Sequence, residues 1–303
     1  MPRDHIIPRF ILKGFAINPT SKADNQKIMI YDKATSTVKT EKIADAYAIK
    51  DFNSPETEKF LAYEYENGVA KIFQRIKKKA INGDKSVSLS NDEYRLLFRF
   101  FVIMWRRNNI QIDKAKELSI EIENTLKKMF GDNYKNMLRP EYKDVKIEDI
   151  FESKKDEISK IIYDKVIPET DDNDPTVQKT IKHYIPTIIY NKSKIHFILH
   201  NSYGTLIHFV PKGYKPDELD MPSFMIEPIS NEFCFYLLFS YKEIDISKVN
   251  FEIPIEICDN DTDIKNRFIN GYITPVATSF VVDETNKEFV IKLHNNGDND
   301  VHL

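Results

Sequence analysis

SNDEYRLLFRFFVIMWRRN, residues 90–108, is the stretch on which the fold turns. Ser90 with Glu93 three positions later is a capping-box signature, in which the carboxylate reaches back to the serine amide and a helix begins. The run that follows is apolar nearly all round, so it predicts a central helix covered on every side. Arg106 and Arg107 close it. One of the two is expected to emerge from the core beside a carboxylate, and a guanidinium there suits bidentate contact with carboxylate or phosphate. A structural salt bridge at a helix end explains it equally well.

Upstream, Ser54-Pro55-Glu56 is a helix start with a serine N-cap and proline at the first helical position. Phe60, Leu61, Tyr65, Val69, Ile72, Phe73 and Ile76 follow at helical spacing, and Gly83 marks the end. Glu66 lies on this helix, one turn from Ala70. Arg75 and Lys77 to Lys79 complement its dipole. Before it, KIMIYDK (27–33) and STVKTEKI (36–43) alternate and read as a hairpin.

Downstream, 111–130 and 147–167 read as amphipathic helices, DDND (171–174) as a solvated loop, and Asp174-Pro175 as another helix start. From about residue 186 the pattern turns to β. IPTIIY, KIHFILH, TLIHFV, SFMIEPI and EFCFYLLFS are short, apolar and rich in β-branched or aromatic residues. Asp261 or Thr262 caps a further helix through Ile269, and TSFVV with EFVIKL closes as a hairpin over DETNK. The expected fold is α+β: a helical layer, after an N-terminal hairpin, against a mostly antiparallel sheet. One domain over 1–303 is expected, helix-rich to about 185, β-rich over 186–294, with a loose polar tail at 295–303.

With 41% apolar and 30% charged residues the chain reads as globular. Its net charge of −3 hides an asymmetry: residues 1–110 carry 20 Lys and Arg against 13 Asp and Glu, leaving 24 against 34 for the remainder. A basic first third is able to face an anionic partner such as nucleic acid or a nucleotide, although an ordinary lysine-rich surface accounts for it too. Cys234 and Cys258 lack metal spacing and make no disulfide framework, which points to a reducing cytoplasm. Pro8, Arg9 and Lys13 interrupt every early apolar run, so no signal peptide is read, and no stretch approaches the length of a membrane span.

Candidate chemistry begins at HIIPRFILKGF, residues 5–15. Pro8 suits a first helical turn, and the helix would run through Phe10, Leu12 and Phe15. His5 sits just ahead of it, and Arg9 and Lys13, four apart, share a face. In the bland reading Phe10, Ile11 and Phe15 anchor the terminus and His5 is a satisfied hydrogen-bonding residue. His196, His200 and His208 fall in one expected hairpin, with His196 and His200 on one strand face, an arrangement able to ligate zinc if a third ligand joined. No specific metal motif supports a divalent ion, and the P-loop, Rossmann, nucleophile-elbow and HExxH signatures are absent.

The opening resembles the H-[YIV]-[VI]-P-x-[FY]-x-L-[RK]-x-F start of the bacterial DUF4238 family, and the likeness spreads over most of the chain. Glu66 in YENGVAKIFQRI is similar to the family's acidic helix residue, and Arg107 to its arginine after an apolar helix. Pro228-Ile229-Ser230 resembles its Pro-Leu-Ser turn, and Asn270 stands seven residues before Ala277 as in the family pattern. Where relatives read Ser-Asp-Asn-Pro after a strand, this chain has His200-Asn201-Ser202-Tyr203, an amide in the aspartate's place.

The resemblance assembles a constellation. His5 and Glu66 would act as general base and acid and Arg107 would hold an anionic group, with Arg9, His200, Asn201, Ser230 and Asn270 binding substrate. That suits hydrolysis or transfer at a phosphate ester of nucleic acid or nucleotide, in a bacterial toxin or phage-defence setting implied by the family's distribution. The alternative is a non-catalytic binding or regulatory module whose polar residues fix the fold.

Overall fold

The computed structural model describes residues 3–50, 53–107, 110–137, 139–140, 143, 145–146, 149, 153–154, 157, 164–165, 167–201, 203, 205–207, 224–269 and 277–295. The chain opens with β1 (Arg3–His5), and Pro8 is the N-cap of α1 (Arg9–Leu12), one position earlier than the sequence suggests. A 3-10 turn, Lys13–Phe15, finishes that segment. β2 (Lys27–Asp32) and β3 (Thr37–Lys42) form the expected hairpin, and β4 (Ala48–Lys50) pairs antiparallel with β1.

Ser54 caps α2 (Pro55–Leu61), its hydroxyl accepting from the Thr57 amide. The expected single helix is interrupted by a π-helical stretch, Ala62–Val69, before it resumes as α3 (Ala70–Ile81). The π turn widens the helix where Gly68 meets Leu96: a Cβ on Gly68 would lie 2.7 Å from the leucine Cδ2. The Asn67 side-chain amide donates to the Ala62 carbonyl within this turn. Gly83, at φ +84°, ends α3 in the left-handed conformation.

β5 (Ser86–Ser90) leads into α4 (Asn91–Arg106), and the capping box at Ser90 and Glu93 is complete in both directions. Arg75 forks onto the Glu93 carboxylate at 2.7 and 2.8 Å, so the cap of α4 is tied to α3. Tyr94, Leu97, Phe98 and Phe100 through Trp105 are all buried. Tyr94 stacks on Phe251 at 4.0 Å, Phe101 meets Phe235, and Phe100 meets Phe10, Tyr65 and Tyr203. Aromatic rings therefore join α4 to the N-terminal segment, the π turn and the sheet, each bringing a large apolar area out of water.

α5 (Ile110–Phe130) follows, then α6 (Pro175–His183); most of the helix expected over 147–167 lies outside the described residues. The DDND run is not simply solvated. Asp174 caps α6 by accepting from Thr176 and Val177, and takes a two-pronged contact from Arg106 at 2.7 and 3.0 Å, while Asp172 lies 3.6 Å from Arg99. Burial raises the Asp174 carboxyl, but Arg106 and the capping amides outweigh it and hold the group below its ordinary range. Asp174→Ala should therefore cost about 2 kcal/mol, from a lost cap and a guanidinium left with only the Thr170 and Thr176 hydroxyls. Asp174→Asn, which keeps the cap, should retain about half of that; urea denaturation of both variants checks it.

The β-rich part comprises β6 (Tyr184–Asn191), β7 (Leu199–His200), β8 (Thr205–Ile207), β9 (Phe224–Pro228), β10 (Phe233–Phe239), β11 (Asn250–Cys258) and β12 (Ser279–Val282). One sheet runs β5-β11-β6-β10-β9-β8 and another β3-β2-β12-β7. All pairings are antiparallel except β11 with β6. The fold is α+β, with helices against mostly antiparallel sheets.

Several expectations are corrected. β5 and β11 are absent from the sequence reading, although Phe251, Ile253 and Ile255 alternate with Glu252, Pro254 and Glu256. Pro254, without an N-H, falls where β11 leaves β5 and takes up β6. KIHFILH is not one strand: Asn191 and Ser193 bind the Ile195 carbonyl and turn the chain, and only Leu199–His200 pair. EFVIKL is not a strand but α7 (Lys287–Asn295), because Asp283 and Asn286 start a helix and Val290 points into the core. β12 instead has β2 and β7 as neighbours. The cap at the Asp261–Asp263 turn is Asn260, and that turn continues as a π-helical segment, Ile264–Ile269. The tail beyond 295 and residues 208–223 and 270–276 lie outside the described residues.

Candidate functional site

β1, α1, α2, the π turn and the C-terminal end of α4 meet around a pocket of about 120 Å³. Leu61, Phe100, Ile103 and Met104 make its apolar wall, and His5, Arg9, Glu58, Tyr65 and Arg107 supply the polar groups. The fold thus brings three of the sequence candidates, His5, Arg9 and Arg107, to one place.

His5 is partly exposed at the end of β1, and its Nε2 is 3.0 Å from the Ile43 carbonyl. A carbonyl only accepts, so Nε2 donates this hydrogen bond. Arg107, 3% exposed, caps α4 and donates through Nη2 to the His5 main-chain carbonyl. The guanidinium and the imidazole are thereby held in one frame. The two arginines that end the apolar run divide their tasks: Arg106 meets the carboxylate of Asp174, and Arg107 turns inward to the pocket.

Two lining groups escape the sequence reading. Glu58 and Tyr65 are separated by seven residues with Leu61 between them, a helical spacing that shares a face; the sequence reading places Tyr65 in the apolar series of this helix and singles out neither its hydroxyl nor Glu58. The π turn carries Tyr65 inward, where burial pushes its phenol up despite the neighbouring Arg99. Tyr65 is 2% exposed and its hydroxyl has no hydrogen-bond partner among the described residues.

Of the remaining candidates, Ser230, Asn201 and His200 do not join the pocket lining among the described residues. Glu66 lies in the π turn, but its side chain is outside the described residues, as is the whole of Asn270. Ser230 is buried and accepts from the Glu232 and Phe233 amides, closing the turn between β9 and β10. Asn201 accepts from the Thr278 and Ser279 amides and donates to the Thr278 hydroxyl, stapling β7 to the start of β12. His200 is buried with its ring edge-on to Phe280. Tyr203 adopts φ +41°, which a proline ring forbids, so the backbone here departs from the Ser-Asp-Asn-Pro pattern as well as the sequence.

Among the described residues no histidine zinc site is formed. His196 Nδ1 lies 2.5 Å from the Asp283 carboxylate, which raises the imidazole's proton affinity, while His200 sits in the core against Phe280. His208 is outside the described residues. Among the described residues no group of three or more His, Cys, Asp or Glu side chains is placed to hold a metal, and no helix is long and apolar enough to cross a membrane. Cys234 and Cys258 are free thiols.

A fully buried acid lies beyond the pocket. Glu227 on β9 is fully buried, and the Trp105 indole donates to its Oε1 at 2.6 Å. A lone carboxylate inside the apolar run SFMIEPI was the signal for it.

Compared with known proteins, residues 3–292 match the family model described as protein of unknown function (DUF4238). No curated protein and no solved structure matches the chain.

Proposed function

The chain belongs to the DUF4238 family, and from its pocket we propose that it binds the phosphoryl group of a nucleotide or nucleic-acid end and acts on it as a hydrolase or transferase. The observation that carries this is the convergence of two guanidinium groups and an imidazole on one small pocket whose described lining includes a single carboxylate, Glu58. A pocket of about 120 Å³ is of the size for one tetrahedral anion rather than a whole nucleotide. Arginine forks match phosphate oxygens in pairs, and a partly dry wall strengthens each contact.

In this reading Arg107 and Arg9 hold the phosphoryl oxygens and neutralise the charge that builds in the transition state. Water or an acceptor hydroxyl attacks phosphorus, its proton passes to His5 Nδ1, and the P–O bond to the leaving group breaks. The basic first third of the chain supplies long-range attraction for the anionic substrate.

A panel of phosphate monoesters, nucleotides, DNA and RNA, assayed with and without divalent cations, tests it. Wild type is expected to turn over a member of the panel, and His5→Ala to lower kcat by about 100-fold or more at a nearly unchanged melting temperature.

A second reading is favoured by one observation: Arg107 and His5 each bind a main-chain carbonyl, and Ser230 and Asn201 are engaged with main-chain amides. Polar residues used this way are typical of a network that fixes a fold, as a binding or regulatory module requires. That reading expects His5→Ala to lower the melting temperature and no substrate to turn over.

A further inference from the structure

Arg9 lines not only the pocket but also a groove of about 650 Å³ on the other side of α1. Lys13, four residues on from Arg9, and Lys77 from α3 face the same groove, with Asn67 and Gln74 beside them. Asp24 is its described carboxylate, and it is almost fully exposed at 3.9 Å from Arg9. The groove is therefore cationic, and Arg9 lines both it and the pocket.

Its cations are poorly matched within the chain. Arg9 Nε is buried without a hydrogen-bond partner among the described residues. Lys13 and Lys77 take part in no ion pair among the described residues; Lys77 Nζ instead lies 5.9 Å over the Phe233 ring. Burial lowers the proton affinity of Lys77, with only a distant Glu232 opposing it. Desolvating a cation without an anionic partner is unfavourable, and an incoming anion offsets that cost.

We infer that the ligand carries two phosphoryl groups in series, one in the pocket and the next in the groove, bridged by Arg9, as in a nucleoside diphosphate. This rests on the phosphate reading of the pocket and narrows its substrate class to a free nucleotide. The guanidinium has donors in a planar fork and is able to serve two neighbouring phosphates at once. The groove, several times larger than the pocket, has room for the second phosphate and the nucleoside beyond it.

The test is calorimetric titration of the full chain with inorganic phosphate, pyrophosphate and an oligonucleotide lacking terminal phosphates, at one pH and ionic strength. Pyrophosphate should bind about tenfold or more tighter than phosphate. Lys13→Met with Lys77→Met should remove that gain and leave phosphate binding unchanged. Lys13 is exposed, so Lys13→Met alone carries the test if the Lys77 change unfolds the chain. Equal affinity for the two anions, or a gain that survives both substitutions, overturns the groove while leaving the pocket intact. An oligonucleotide that binds as tightly as pyrophosphate overturns it in favour of a polymer. Failure of phosphate and pyrophosphate alike to bind sinks the pocket reading itself.

Discussion

Glu227→Gln should flatten the pH dependence of stability and make the variant the more stable protein at neutral and alkaline pH. Burial pushes the Glu227 carboxyl well above its ordinary 4.5, and the Trp105 hydrogen bond offsets only part of that. Oε2 has no partner among the described residues, so ionisation would leave half the charge unsolvated. The folded chain thus keeps a proton that the unfolded chain releases. The stability linked to that proton is fully present below the unfolded carboxyl's range and is lost as pH rises, at about 1.4 kcal/mol per unit, until the folded carboxyl ionises. Glutamine keeps the acceptor for Trp105 and has no such proton to lose. Above the ordinary carboxylate range the two proteins should diverge steadily with pH until the folded carboxyl ionises, read from urea midpoints at each pH. Parallel curves would show that Glu227 is ionised in the native state and would end this account.

Gly14→Ala should cost about 3 kcal/mol or more and weaken the phosphate binding proposed for the pocket. A Cβ on Gly14 would stand 2.6 Å from the Ile229 carbonyl oxygen and within 2.9 Å of Ser230 Cα and Cβ. These are backbone atoms or atoms fixed to it, so no side-chain rotation relieves the contact. The Asn231 amide also donates to the Gly14 carbonyl, at 3.1 Å, so the two segments are locked together as well as packed. Pushing them apart moves α1, and with it Arg9. Thermal unfolding with phosphate titration reads both effects. Ser230→Gly in the Gly14→Ala background removes one close contact, with Ser230 Cβ, and should recover only part of the loss. A Gly14→Ala protein that melts and binds like wild type would refute the close-packing argument.

That contact explains why separated residue patterns act together. HIIPRFILKGF and EPIS are more than 200 residues apart, and each was readable: one as a short helical segment after a histidine, the other as a turn between strands. Their meeting was not readable, because it depends on glycine's missing side chain and a serine turn being pressed together across the fold. The same holds for Arg106 and Arg107. The sequence placed both at the end of a buried helix, but adjacent residues on a helix point about 100° apart. Only the position of the acidic loop decided that Arg106 would take Asp174 and Arg107 the pocket.

Local rules carried the elements whose ends are set by their own residues: the Ser54 and Ser90 caps, the Asp174-Pro175 start and the β2–β3 hairpin. They failed where partners decide. EFVIKL has the composition of a strand, yet β12 already has β2 and β7 on its two edges, so the segment buries Val290 as a helix. β11 alternates along its length, yet Pro254 at its middle lacks an N-H for a ladder, and the strand is completed only because β5 and β6 share it. Tyr65 reaches the pocket from the π turn, whose widening depends on its packing against α4.

By itself, then, the sequence determined a capped, all-round apolar helix that must lie at the centre, a hairpin before it, a β-rich part after it, and the polar residues that tip these elements. Tertiary structure alone decided which of those residues share a cavity. Caps and periodicity are satisfied within a few residues of the chain, whereas a pocket is a relation among β1, α1, α2, the π turn and α4, whose relative placement is set by long-range packing.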